Sequence, residues 1–309
     1  MGNIVPRRMV CETAAVVTSF LWTFNSLFFA SAGKRIGSLS VNAYRLVMAV
    51  GFLTISHFIL LGTMLPIATS QQWFWMGMSG IVGLCLGDFG YFGALVEIGP
   101  RRSVLVMALS PIFASVAAYL MLGEIVPTLA TIGVAVTLGG VVIVILEEEE
   151  RSGEETISKK QRNYGLLLAL IGAIGQGLGL VLAKKGIYAN PGIVLNPLSA
   201  TLMRMILGAL SVWIVAVIAR KLPELRNALN NKEGISRTAA GAFIGPFMGV
   251  TLSLVAVTYT DVGVAQTLLS LMPVFIIPAV WVLYRQRTSL RGIIGAAMSV
   301  VGVSILFLT

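Results

Sequence analysis

Apolar residues fall in blocks of about twenty along this chain, each closed by charged, polar or proline-containing residues, and roughly 20 residues of helix cross the hydrocarbon core of a bilayer. The blocks cover residues 9–32, 40–61, 73–98, 103–122, 128–146, 164–185, 197–219, 238–259, 262–284 and 290–308. They predict an all-α integral membrane protein with ten transmembrane helices. Residues 147–163 break the pattern with four consecutive glutamates, then Ser, Gly and Thr, then Lys159 and Lys160. This stretch reads as a solvated linker at the middle of the chain.

A central linker invites a search for duplication. A shift of 162 residues (83 to 245) lays the second half over the first without a gap across residues 83–146. Gly83 then meets Gly245, Gly87 meets Gly249, Leu109 meets Leu271, Pro111 meets Pro273, Phe113 meets Phe275, Gly133 meets Gly295 and Gly140 meets Gly302. With a shorter first connection, Arg45 meets Arg204 near the start of each second helix. The division is therefore a first repeat at 1–146, the charged linker at 147–163 and a second repeat at 164–309. Five spans per half is an odd number, so the second repeat enters the membrane upside down. The expected architecture is two inverted five-helix repeats, with a substrate site near the bilayer midplane between them.

Composition agrees: 57% of residues are hydrophobic and 11% are charged, with a mean hydropathy of +0.90, against roughly 25% charged in soluble domains. The formal charge of +9 comes from Lys and Arg set singly or in pairs between apolar blocks, which is how membrane loops are charged and implies no nucleic acid as partner. Positive residues concentrate in connections 1–2, 3–4, 5–6, 7–8 and 9–10, whereas the other face holds Arg7, Arg8, Lys184 and Lys185. That asymmetry places the linker in the cytoplasm and both termini outside, in a cell (plasma or inner) membrane. The block at the amino end is too long for a signal-peptide core and reads as a first helix. Cys11 and Cys85 lie inside apolar blocks and offer neither a disulfide framework nor a metal site, and no cofactor is expected.

Asp88 is the carboxylate closest to the centre of a span. A charge there costs about 2.5–3.5 kcal/mol on insertion scales, so it should face a cavity or a partner. It is a candidate for loading and releasing a proton; a buried acid bonded to a neighbouring helix is the alternative. Tyr91, about a turn further on the same face, is a candidate for the same site. Asn25, Gln176 and Gln266 are uncharged polar residues deep in spans one, six and nine, and either bond across helices or line a polar cavity. Arg45 and Arg204, a turn or so inside their spans, either snorkel to the interface or bind an anionic group. Pro111 and Pro273 each remove a backbone donor inside a span and mark paired kinks or gates. Glycines 77, 80, 83, 87, 90 and 93 leave one thin helix face, which favours close packing. His57, the sole histidine, is read as structural or interfacial, and Glu124 and Asp261 as helix-end groups.

The pattern resembles the drug/metabolite transporter superfamily, specifically its EamA-type ten-helix branch. The residues that carry the resemblance are Tyr91-Phe-Gly-Ala-Leu, Ser103 through Ser110-Pro111-Ile-Phe, and Leu122-Gly-Glu124 followed by Gly133 and Gly139-Gly140. The second half repeats the outline with Ala265 through Pro273-Val-Phe, then Gly295 and Gly302. The resemblance implies a carrier of small organic solutes (amino acids, other metabolites or drugs), usually an exporter, working by alternating access. Spans one to four and six to nine would surround the cavity, with five and ten peripheral. Two departures stand out: Gln286, between Arg285 and Arg287, replaces the acid of Leu-Gly-Glu in the second half, and the family commonly has cytoplasmic termini. Oligomeric state stays open, a homodimer included.

Competing classes have weaker support. An intramembrane aspartyl protease needs two carboxylates in reach of one another, but Asp261 lies at a span end. A scaffold that has kept the carrier fold without transport is a further alternative. No glycine loop ending in Lys-Ser or Lys-Thr supports drive by nucleotide hydrolysis.

Overall fold

The computed structural model describes residues 4–152, 158–272, 274–275 and 290–307, and these are helical apart from short turns. In chain order the helices are α1 (Ile4–Ile36), α2 (Ser38–Leu61), α3 (Ser70–Ser79), α4 (Asp88–Met107), α5 (Ser110–Leu122), α6 (Thr128–Ser152) and α7 (Lys159–Ile187). They continue with α8 (Pro197–Ile218), α9 (Leu222–Ala228), α10 (Lys232–Ala242), α11 (Val250–Tyr259), α12 (Val262–Leu269) and α13 (Leu290–Phe307). Two π-helical segments, Gly80–Gly87 and Phe243–Gly249, join α3 to α4 and α10 to α11.

The distribution of polarity is that of a protein dissolved in lipid. Ile59, Leu60, Ile67, Leu120 and Ile218 lie on the outside, while Glu12, Arg45, Asp88, Arg204 and Gln266 are buried. Water would reverse that arrangement. Among the described residues, four helical stretches can cross a membrane by length and composition, Ser38–Leu61, Lys159–Ile187, Pro197–Ile218 and Lys232–Tyr259; Ser110–Leu122, Thr128–Ile143 and Leu290–Leu306 are shorter apolar helices.

The helices pack by exchange between the halves. α7 leaves its own half and lies on α3, the first π segment, α4 and α5, while α1 lies on α10, the second π segment, α11 and α12. α2 packs on α8, and α6 packs mainly on α13. The α6–α13 seam shows the internal twofold relation in detail. A Cβ added at Gly133 would lie 3.1 Å from the carbonyl oxygen of Gly302, and one added at Gly140 would strike that of Gly295. These two contacts interchange under the 162-residue shift, and the helices run antiparallel. Thr137 and its counterpart Ser299 meet at the centre, where the Ser299 hydroxyl donates to the Thr137 carbonyl at 3.2 Å.

Three boundaries differ from the sequence expectation. The helix expected to end near residue 98 continues through the arginine pair to Met107. A charged pair does not by itself interrupt backbone hydrogen bonding. The break comes at Ala108–Leu109 because the ring of Pro111 would clash with the carbonyl four residues earlier, at Met107. Pro111 itself sits in the first turn of α5, where a missing N–H costs nothing, so it starts a helix rather than kinking one. The second half repeats the break: α12 ends at Leu269, four residues before position 273, followed by a turn at Ser270–Leu271. Bonds from Ile112 and Phe113 N–H to the Leu109 carbonyl, 3.0 and 3.3 Å, match those from Val274 and Phe275 to Leu271, 2.9 and 3.3 Å. Pro273 lies outside the described residues, as do Arg285, Gln286 and Arg287. Finally, α6 extends through the four glutamates to Ser152 and α7 begins at Lys159 on a Ser158 cap, so much of the polar linker is helix. Charge made this stretch hydrophilic without making it irregular; Glu and Lys are good helix formers.

Candidate functional site

Five helices, α1, α2, α4, α7 and α8, bring a charge cluster together in the interior. The π segment before Asp88 widens the helix, and all its glycines are buried. Wide turns of this kind recur at functional sites. Asp88, 6% exposed, is the residue that follows. Its Oδ2 accepts from Arg45 Nη2 in a buried ion pair, and its Oδ1 accepts from Gln176 Nε2 at 2.9 Å. Gln176 Nε2 also lies 3.3 Å from the Gly83 carbonyl, inside the π segment.

Arg45 is held by two hydrogen bonds and two aromatic rings. Its Nε donates to Asn42 Oδ1 at 2.9 Å, and its guanidinium lies 5.3 Å from the Phe29 ring centroid and 5.1 Å from that of Phe92. Two aromatic faces replace part of the hydration that the cation has lost. The interface reading of Arg45 and Arg204 is therefore corrected: at 8% and 3% exposure both point inward, because a carboxylate and glycine-lined helix faces receive them there. Arg204 packs on the first π segment, where a Cβ added at Gly83 would lie 2.6 Å from its Nη2. It interacts with Asp88 electrostatically without an ion pair, and its Nε has no hydrogen-bond partner among the described residues.

The glycine stripe explains how the helices come so close. Gly80 abuts Gly208 of α8, while Gly83, Gly87 and Gly90 face Gly179, Gly175 and Gly172 of α7. A Cβ added at Gly175 would lie 2.6 Å from the Cα of Gly87.

The other sequence candidates are spread around this centre. Tyr91 is in electrostatic range of Asp88, with its backbone against Gly172. Gln266 donates to the Ser110 hydroxyl at 3.0 Å, at the break before α5. Asn25 fills the space left by Gly241 and Gly245, and its Oδ1 has no partner among the described residues. Asn25 is one turn from Phe29, but no contact among the described residues joins Asn25 or Gln266 to Asp88. His57 is a structural link, 2.9 Å from Ser199 Oγ and 2.6 Å from the Thr63 carbonyl.

Sequence reasoning missed a second cluster at one end of the bundle. Glu124 pairs with Lys184 at 2.6 Å and accepts from Val262 N–H at 2.9 Å, while Lys184 donates to the Thr260 carbonyl at 2.7 Å. It ties the ends of α5, α7 and the α11–α12 turn together. Lys184 had entered only the topology count. Glu12, buried inside the first apolar block, was overlooked.

Family comparison matches the same two halves: the model of the EamA-like transporter family covers residues 9–146 and again 163–308. The chain belongs to the EamA-like transporter family. An EamA-like chain with apolar exterior helices is a multi-pass membrane protein of the drug/metabolite transporter type. A solved structure titled "Crystal structure of protein" shares the fold at a TM-score of 0.74 and 19% identity, covering 96% of each chain. No curated protein matches the chain significantly. In EamA-like terms, the Arg45–Asp88–Gln176 cluster lies where helices of the two matched halves meet.

Proposed function

We propose that this EamA-like protein is a secondary transporter that moves a small organic solute, an amino acid or a similar metabolite, across the membrane by alternating access. Ten spans in two inverted repeats, a cytoplasmic linker and outward export in a plasma or inner membrane complete the reading. The observation that carries it is the Asp88–Arg45 ion pair, buried where helices of both halves converge and bridged by Gln176 to the other half. A fixed scaffold gains little from such a pair, since apolar packing of the same volume is commonly as stable or more so. A carrier gains a switch. Proton uptake by Asp88 removes its charge, frees Arg45 and loosens the seam between α4 and α7.

Purified protein in liposomes, screened against amino acids, amines and nucleobases with and without a pH gradient, tests this reading. Gradient-driven uptake is expected for the wild type and its loss for Asp88→Asn. Full gradient-driven transport by Asp88→Asn would remove the proton role. A reporter fused after Thr309 that is active only in the cytoplasm would overturn the orientation.

A further inference from the structure

We infer that Arg204 is the seat of a single anionic group carried by the transported solute, so that the solute class is one bearing a carboxylate or an equivalent oxyanion. The inference rests on the transporter reading and adds to it the chemistry of the cargo. Its basis is a charge count in the cluster. Arg45 and Arg204 are equivalent positions of the two repeats and both are buried, yet the residue equivalent to Asp88 in the second repeat is Val250. One carboxylate therefore stands against two guanidiniums.

Asp88 cannot serve both. One oxygen takes Arg45 and the other takes Gln176, and Arg204 stays outside ion-pairing distance. Arg45 already has its carboxylate, with Nε on Asn42, Nη2 on Asp88 and rings of Phe29 and Phe92 beside its guanidinium. Arg204 has a buried Nε with no partner among the described residues, and its Nη2 rests against Gly83 and Gly179, which offer backbone and no side chain. Arginine does not lose its proton in proteins, so the charge persists. An uncompensated buried cation is costly, and a guanidinium presents a donor fork that fits a carboxylate. A solute with one anionic group completes the count. The seat lies against the glycine seam between the first π segment and α7, so it becomes accessible when those faces part.

Two measurements on the full-length protein test this. In detergent without solute, Arg204→Met should unfold at the wild-type temperature or a few degrees above it, because an unpaired charge is removed, whereas Arg45→Met should unfold several degrees lower, because Asp88 is left unpaired. An equal fall for both variants makes Arg204 a structural partner and overturns the inference. In liposomes, uptake of matched acids and amides (leucine and leucinamide, lactate and lactamide, benzoate and benzamide) should favour an acid by at least about tenfold, a difference of 1.4 kcal/mol. Arg204→Met should abolish that preference and Arg204→Lys should keep part of it. Uptake of amides as fast as acids removes the anion seat and leaves the transporter standing; no uptake of any pair removes both.

Discussion

Gly80–Gly87 and Phe243–Gly249 both wind as π-helix and both end on equivalent glycines, yet the next residue is Asp88 in one half and Val250 in the other. The two helices that receive them differ as well. α7 meets the first π segment glycine against glycine, while α1 meets the second with Asn25 and Trp22. Backbone plan is thus held in common and charge is not. In the proposed transport cycle the shared backbone plan would supply two mirrored conformations of the halves, and the unshared charge would assign the ion chemistry to one of them.

Moving the acid is the most forceful way to break this comparison. Asp88→Val leaves the buried Arg45 without its carboxylate and is expected to cost about 3–5 kcal/mol, read as a fall in the thermal midpoint in detergent together with loss of transport. Adding Val250→Asp to it should restore part of the stability, since the acid then stands beside α8 and Arg204 as Asp88 stands beside α2 and Arg45. A double variant no better than Asp88→Val would mean that the halves are not interchangeable at this point.

A smaller effect is expected at the seams. Gly175→Ala drives a methyl into the backbone of Gly87 and should cost about 1–3 kcal/mol, whereas Gly51→Ala, which meets nothing within 4 Å, should be close to neutral on the same thermal scale. Equal shifts would show that the seam between the first π segment and α7 is looser than its geometry.

The smallest concerns the turn at Leu122-Gly123-Glu124, a sequence the second half replaces with Tyr284-Arg285-Gln286. Gly123 ends α5 at φ 69°, in the left-handed region, and Gly123→Ala should lose about 1 kcal/mol in the same unfolding assay. A neutral result would show that the turn relaxes without displacing Glu124 from Lys184.

Much of the architecture was legible before any coordinates. Apolar blocks, the central linker and the in-register glycines pointed to a duplicated helical membrane protein, and the family match rests on the same two segments. Pro111 marked a real break, though its effect falls on the residue four positions earlier. The partners of Arg45 and Arg204 were not legible. A long cation near a span end has two physical outlets, and periodicity does not say whether the nearest polar group is a lipid headgroup or a buried acid. That both halves keep an arginine at this place, rather than loosely at the rim, was the available hint.

Sequence by itself determined what depends on neighbours along the chain: where helices form, where a proline stops one, and that two halves share a plan. Tertiary structure alone decided that Asp88 meets Arg45 and Gln176, that Glu124 meets Lys184, and that α1 and α7 cross into the opposite halves. Those contacts join residues 43 to 88 positions apart or belong to whole helices, and in lipid they are selected by the need of each buried charge for a partner. No local pattern encodes that need. It is met only when every helix is in place.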